Sequence, residues 1–257
     1  MLKRVLRNLF HRESGLALLF LMLAFLLLII IGLKQGHYKN PDFSFFLFIQ
    51  AHGMLFNFFL IGIFALWMLK REQRKQTIRY YCDEIDDLRG IRSPEAAAKI
   101  KGNILRLNRL GVLNLELHNC YLAETDLVRV DLRHADLWRC NLNGAYLRWS
   151  LFQGADLRWA NLQRANLGRS DMRDVNLRWA DLTEADMGGA DLAGASLNGA
   201  SLEGAFFWRV KNLTFEQMTS VATLHNIRGL DRELAARLHD EHPHLFEKPE
   251  QQETSNR

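Results

Sequence analysis

Tryptophan and arginine recur together in the middle of this chain at steps of twenty residues: Trp138-Arg139, Arg158-Trp159 and Arg178-Trp179. These two residue types are enriched at binding hot spots, because a large ring and a planar fork of donors both gain from a desolvated contact. A second set, Arg129, Arg148-Trp149, Arg169 and Trp208-Arg209, follows the same step ten residues out of phase. A guanidinium stacked on a ring stabilises a surface without any partner. Binding and stacking therefore both stand as readings of these residues.

Catalytic chemistry finds less support. The carboxylates of the same region form a repeated lattice rather than two groups converging in a cleft, and no glycine loop of the phosphate-cradling kind is present. His239, His242 and His244, beside Asp240 and Glu241, make a short tract that could contact a metal. A solvated tail behind a helix is the plainer reading. Gln50, His52 and Asn57 interrupt an apolar stretch, where polar side chains mark a helix partner or a cavity. Haem ligation by His52 would need a second chain, whereas hydrogen bonding between helices needs only a neighbour. Cys82, Cys120 and Cys140 show no C-x-x-C spacing and suit a reducing compartment. The expectation is a protein that is not an enzyme, without cofactor or metal.

The elements that position these residues are set by a period of five. Leucine, phenylalanine or methionine stands at every fifth position from Leu117 to Phe207, through nineteen consecutive units without an insertion. Two residues before most of them lies a small residue, such as Ala135, Cys140, Ala155 or Ala200, and between the two comes Asp or Asn in most units. A helix would scatter these leucines around its axis, and a flat strand would send alternate ones to opposite faces. Only a backbone that turns a corner once per unit points every Leu and Ala inward. Asp and Asn suit such corners because their side chains bond nearby backbone. The result is a solenoid whose coils pair with their neighbours.

Runs such as Ala-Asp-Leu-Arg-Trp-Ala-Asn-Leu-Gln-Arg-Ala-Asn-Leu at 155–167 resemble the pentapeptide-repeat family, whose motif is A-(D/N)-L-x-x. The resemblance implies a right-handed quadrilateral β-helix with four units per coil, an all-β solenoid. Tyr121, Tyr146, Leu151 and Phe206 depart from the motif at the Asp/Asn position, where bulges or contacts are expected. On a four-unit coil Cys120 and Cys140 stack as inward neighbours, as small core residues.

Two apolar stretches precede the repeats. Residues 16–33 are an unbroken apolar run and 45–69 are mostly apolar, each long enough to cross a hydrocarbon layer of ~30 Å as a helix. Together they predict a two-helix transmembrane hairpin (16–69). Four Lys/Arg precede the first stretch and five follow the second, against two in the loop between them. The positive-inside rule then places both termini and the repeat domain in the cytoplasm, anchored in the cytoplasmic (inner) membrane. Residues 1–15 read as a basic amphipathic segment on the bilayer surface.

Juxtamembrane helices and an N-terminal cap are expected over 70–114. The second helix starts at the Ser93 cap and Pro94, and stops at Gly111. The repeat solenoid covers 115–209. A C-terminal helical cap follows over 210–246, with helices begun by Thr214 (through about Thr223) and Asp231. A disordered tail occupies 247–257.

These readings converge on a membrane-tethered cytoplasmic scaffold for protein–protein interaction. The expected partners are the lipid bilayer, an unidentified protein and a second copy of the chain. Trp138, Arg139, Arg158, Trp159, Arg178 and Trp179 form the candidate partner-binding face. The alternative is an accessory or sensor subunit of a membrane transporter or channel, acting through the intramembrane polar residues. A DNA-mimicking, topoisomerase-binding role, known among proteins sharing the repeat, requires a strongly acidic surface. Here ten arginines between 116 and 209 roughly match the carboxylates, so no nucleic-acid partner is expected.

Overall fold

A computed structural model describes residues 43–248, without the side chains of 43–49, 51 and 52. The basic segment 1–15, the first apolar stretch 16–33, the loop after it and residues 249–257 lie outside the described residues. The chain divides into two units, 1–75 and 76–257.

The second unit is built from one local device used nineteen times. In each five-residue repeat the inward Leu starts a β-turn closed by a bond from the residue three further on, as in Cys140 N–H to the Leu137 carbonyl (2.9 Å). The third residue of every turn is left-handed. It is non-glycine in thirteen units, with φ between 52° and 60°, and glycine in six, with φ between 63° and 72°. A positive φ at that position alone is the signature of a type II turn. L-residues resist it at about 1 kcal/mol each. The repeat offsets that cost with a side-chain bond: in most units the Asp or Asn before the Leu accepts from the backbone N–H two residues on. Asp136 does so from Trp138 N–H (3.0 Å), Asn161 from Gln163 N–H (3.0 Å) and Asp186 from Gly188 N–H (2.9 Å).

Parallel bridges join the residue at each Asp/Asn position to the one twenty further along, from Glu116 with Asp136 through to Asp191 with Lys211. Four units therefore make one coil. Each bridge is a single residue wide, so no extended strand forms among the described residues; the turns follow one another too closely for one. The expected β-helix is a solenoid of bridges and corners. Tyr121, Tyr146, Leu151 and Phe206 all keep their bridges without a bulge, because pairing runs through the backbone and ignores the side chain. The Leu and Ala columns fill the interior almost completely, with Leu162, Phe152, Met172 and Ala165 fully buried. Burying a Leu side chain contributes roughly 1.5–3 kcal/mol, and the columns repeat that gain coil after coil.

An open coil end leaves backbone groups unpaired; side chains close the first coil, and at the other end Gln217 Nε2 donates to the Leu192 (2.9 Å) and Ala195 (2.8 Å) carbonyls. At the first coil the Arg89 guanidinium donates to the carbonyls of Glu116 (3.3 Å) and His118 (3.2 Å). Asn108 stands in for a missing peptide: its amide donates to the Asp131 carbonyl (2.9 Å) and its oxygen accepts from Asp131 N–H (3.1 Å). The first helix, α1, spans Phe43–Asp87, and α2 spans Pro94–Arg109. Asn108 lies on α2, which Ser93 caps and which buries Ile100, Ile104 and Leu107. Ile78, Tyr81, Cys82 and Ile85 from the end of α1 join the same core.

At the other end Thr214 caps the short helix α3 (Phe215–Thr219) through a capping box. The helix expected through about Thr223 stops at Thr219, because Thr223 and Arg228 rejoin the ladder, bridging Ser201 and Phe206. Asp231 caps α4 (Arg232–Glu241), and a 3₁₀ turn (Pro243–Phe246) follows. Leu224 N–H donates to the Leu245 carbonyl (2.6 Å) and closes the last turn.

The helix α1 runs unbroken through the second apolar stretch and on to Asp87. By length and composition, Gly53–Asp87 holds one helix long and apolar enough to cross a membrane, and none of its apolar window is buried within the chain. Of the two-helix hairpin, one such helix is present among the described residues.

Candidate interaction surfaces of the solenoid

Four units per coil give four sides, each with two outward columns from the second and third turn residues. On one side the third-residue column reads Asn119, Arg139, Trp159, Trp179, Gly199, and the second-residue column His118, Trp138, Arg158, Arg178, Asn198. Trp159 and Trp179 stack face to face, with centroids 5.1 Å apart and 14° between planes, and both are exposed. The Arg178 guanidinium lies 4.7 Å from the Trp179 ring centre. Gly199 ends the stack: a Cβ there would meet Trp179 Cδ1 at 2.6 Å, so only glycine lets that ring lie flat.

Trp138 precedes its arginine, whereas Trp159 and Trp179 follow theirs. It therefore stands in the neighbouring column, half-buried, with the Arg139 guanidinium 4.4 Å from its ring centre. All six residues singled out in the sequence share this side, and the ring stack holds two of its three tryptophans.

The opposite side puts the same residue types to a different use. Trp149 is approached by three guanidiniums, those of Arg148 (4.3 Å), Arg129 (5.5 Å) and Arg169 (6.0 Å). Tyr146, Phe206 and Trp208 are exposed on the same side, at 54%, 37% and 56% of their full areas. Tyr146 and Phe206 occupy the slot that holds Asp or Asn elsewhere. The only signal for them in the sequence was that departure from the motif, and its meaning emerges once both fall on the side of Trp149.

The two remaining sides are polar and largely self-neutralised. Arg133 bonds Asp131 (2.7 Å), Arg173 bonds Asp171 (2.7 Å), and Arg164 bonds Glu184 of the next coil (2.6 Å). The bonds from Arg133 and Arg173 hold the Asp131 and Asp171 carboxyls below the usual range, against the opposing pull of partial burial.

Other candidates offer little chemistry. Burial pushes the Cys120 thiol up to about 11 and the Cys140 thiol well above its usual value, and Cys140 Sγ donates to the Cys120 carbonyl (3.2 Å). Both are inert core groups at neutral pH. The His239 ring stacks on Phe246, while His242 packs near Phe215 and His244. Among the described residues no group of three or more His, Cys, Asp or Glu is placed to hold a metal. A recess of about 160 Å³ lined by Cys82, Ile85, Leu107 and Leu115 is below the ~300 Å³ where ligand pockets begin. In α1, Gln50 and Asn57 are exposed and seven residues apart, which puts them on one helix face; the His52 side chain lies outside the described residues.

Comparison with known proteins agrees with the repeat. A family model described as pentapeptide repeats matches eight copies, over residues 114–148, 140–178 and 170–209. No curated protein matches the chain. Among solved structures, a pentapeptide repeat protein from the Arabidopsis thaliana thylakoid lumen is 21% identical, with 49% of this chain and 74% of that one covered and a TM-score of 0.25. HetL, a pentapeptide repeat protein involved in heterocyst differentiation regulation from the cyanobacterium Nostoc sp. strain PCC 7120, is 26% identical over 37% of this chain and 54% of its own, with a TM-score of 0.23. QnrB1, a plasmid-mediated fluoroquinolone resistance protein, is 15% identical over 49% of this chain and 82% of its own, with a TM-score of 0.24. Residues 114–209 are thus a run of pentapeptide repeats, and proteins built on that repeat are generally non-catalytic interaction proteins.

Proposed function

We propose that this chain is a membrane-tethered, non-catalytic scaffold whose repeat rod presents Trp/Arg surfaces to a protein partner on the cytoplasmic side of the inner membrane. The observation that carries the reading is the exposed stack of Trp159 on Trp179, with its arginines, on a rod whose turns fix every side chain in a column. Rigid aromatic anchors lose little entropy on binding, so a few of them supply most of the affinity. The apolar stretch of α1 and the basic run Lys70, Arg71, Arg74, Lys75 and Arg79 behind it support the tether and its orientation. The charge balance of the rod, without a dominant acidic surface, speaks against DNA mimicry.

The experiment is proximity labelling in the native membrane, with a labelling enzyme fused after Arg257. Cytoplasmic proteins are expected among the labelled set, with one or more lost when Trp159 and Trp179 are changed to Ser. Labelling confined to the far side of the membrane would overturn the orientation. An unchanged set in the Ser variant would overturn the binding face. A second reading, an accessory or sensor subunit of a transporter or channel, is favoured by the Gln50/Asn57 face of α1. It predicts loss of a membrane partner when both are changed to Leu.

A further inference from the structure

On the Trp149 side no arginine is ion-paired among the described residues, whereas each of the other three sides holds at least one that is. Elsewhere on the rod four of six arginines grip carboxylates of the chain itself: Arg133, Arg158, Arg164 and Arg173. Three of these use the Asp two residues earlier, in the repeat's own Asp/Asn slot. On the Trp149 side that slot holds Asp126, Tyr146, Asn166, Asp186 and Phe206, and the one two residues before Arg148 is Tyr146, so Arg148 has no such partner. Arg129, Arg148 and Arg169 lie against Trp149, and Arg209 lies against Trp208. None of the four forms an ion pair among the described residues.

Charge follows the same division. Between residues 115 and 209 this side sets four arginines against Asp126 and Asp186, and the other three sides set six arginines against eleven carboxylates. Asp126 is in turn drawn to Lys101 (3.6 Å), and Asp186 is tied to its own turn. One positive, aromatic strip thus lies between two flanking sides that together set three arginines against eight carboxylates, while the opposite side is balanced.

We infer that this strip, with Trp149, Tyr146, Arg148, Arg169, Trp208 and Arg209 at its centre, binds an acidic, aromatic-bearing segment of a partner protein. A guanidinium stacked on an indole keeps the N–H groups of its edge free, and that fork matches a carboxylate in bidentate geometry. Tyr146, Phe206 and Trp208 supply apolar anchors beside the charges, and Gly188 and Gly189, between Arg169 and Arg209 in sequence step, add no carboxylate to the strip. Long polyanions suit the strip less well. A duplex or an anionic bilayer would also face the flanking negative sides, whereas a short peptide segment touches the strip alone. The inference rests on the reading of the rod as an interaction module, and is independent of the tether.

The test uses the full chain in phosphatidylcholine nanodiscs and a displayed random dodecapeptide library. Recovered peptides are expected to be rich in Asp, Glu and aromatic residues. A synthetic copy of one should weaken at least about tenfold, or ~1.4 kcal/mol, with the quadruple variant R129Q/R148Q/R169Q/R209Q, and hold its affinity with R133Q/R173Q. A second variant guards against misfolding. Tyr146→Asp restores the repeat's own carboxylate, pairs Arg148 internally and should also weaken the peptide.

Acidic selection that persists in both variants overturns the assignment. So does a preference of the wild-type chain for duplex DNA or phosphatidylserine vesicles over the peptides. Reproducible non-acidic peptides that depend on Trp159 and Trp179 would also overturn it, while leaving the interaction-module reading in place.

Discussion

Inside the coils, nineteen units offer almost no choice: Leu, Phe or Met at one position and a small residue two before it, nearly all of them fully buried. Outside, the same units carry Arg, Trp, Glu, Gly, Gln and Thr at their turn positions, over the same backbone turn in every unit. The difference teaches which columns the fold specifies and which it leaves open. Inward columns are shared between coils, so a misfit is felt by two neighbours. Outward columns need only tolerate the turn. Variation there is free to serve recognition, and the two Trp/Arg sides diverge through their freedom: one builds a ring stack, the other a positive strip.

The largest break of that contrast is expected from Leu162→Asp against Arg164→Asp. The first puts a carboxylate where Leu162 is fully buried and should cost more than about 4 kcal/mol, abolishing β-type circular dichroism. The second loses one exposed ion pair, worth at most ~1 kcal/mol, and should leave the spectrum intact. Equal tolerance would mean that inside and outside are misassigned.

A smaller effect is expected at the end of the rod. Arg89→Ala leaves the Glu116 and His118 carbonyls without their donor and should destabilise by about 1–3 kcal/mol in denaturant titration. An unchanged midpoint would show that water closes the first coil as well as Arg89 does.

Trp159→Ser with Trp179→Ser removes a stacked pair outside the core and should cost only ~0.5–1.5 kcal/mol in thermal melting. A much deeper loss would make the stack part of the fold and erase the inside/outside distinction on that side.

Acid should give the smallest change. Asp131 and Asp171 have carboxyls lowered by Arg133 and Arg173. Their contribution is fully present above the unfolded value near ~4 and is lost as pH falls through the lower folded values. Asp131→Asn with Asp171→Asn should flatten the melting temperature over that acid window; a steep dependence that survives would assign it to other carboxylates.

Much of this was legible in the sequence because a period of five admits one solution. The inward Leu and Ala columns and the caps at Ser93, Thr214 and Asp231 follow from local chemistry that each residue carries with it, whereas the twenty-residue coil came from the resemblance to the pentapeptide-repeat family. The side shared by Trp138, Trp159 and Trp179 follows from counting twenties. The column within that side did not, because Trp-Arg and Arg-Trp read alike in a list but differ by one turn position. Nor did the end closures by Arg89 and Asn108, since no local pattern says which side chain reaches an orphan carbonyl 29 or 23 residues away. The return of Thr223 and Arg228 to the ladder was hidden for the same reason, having no Leu-based register to announce it.

Sequence alone therefore determined the solenoid and which residues point inward or outward, because those depend on backbone turns repeated at fixed spacing; the four-unit coil, implied by the family resemblance, is seen in the twenty-residue bridges. Tertiary structure decided which arginines are neutralised and which are left over. For an arginine at the third turn position that choice depends on the next coil, as where Arg164 meets Glu184, and for one at the second position on the residue two before it. Arg158 finds its Asp156, while Arg148 faces a tyrosine in the same slot and turns instead to Trp149.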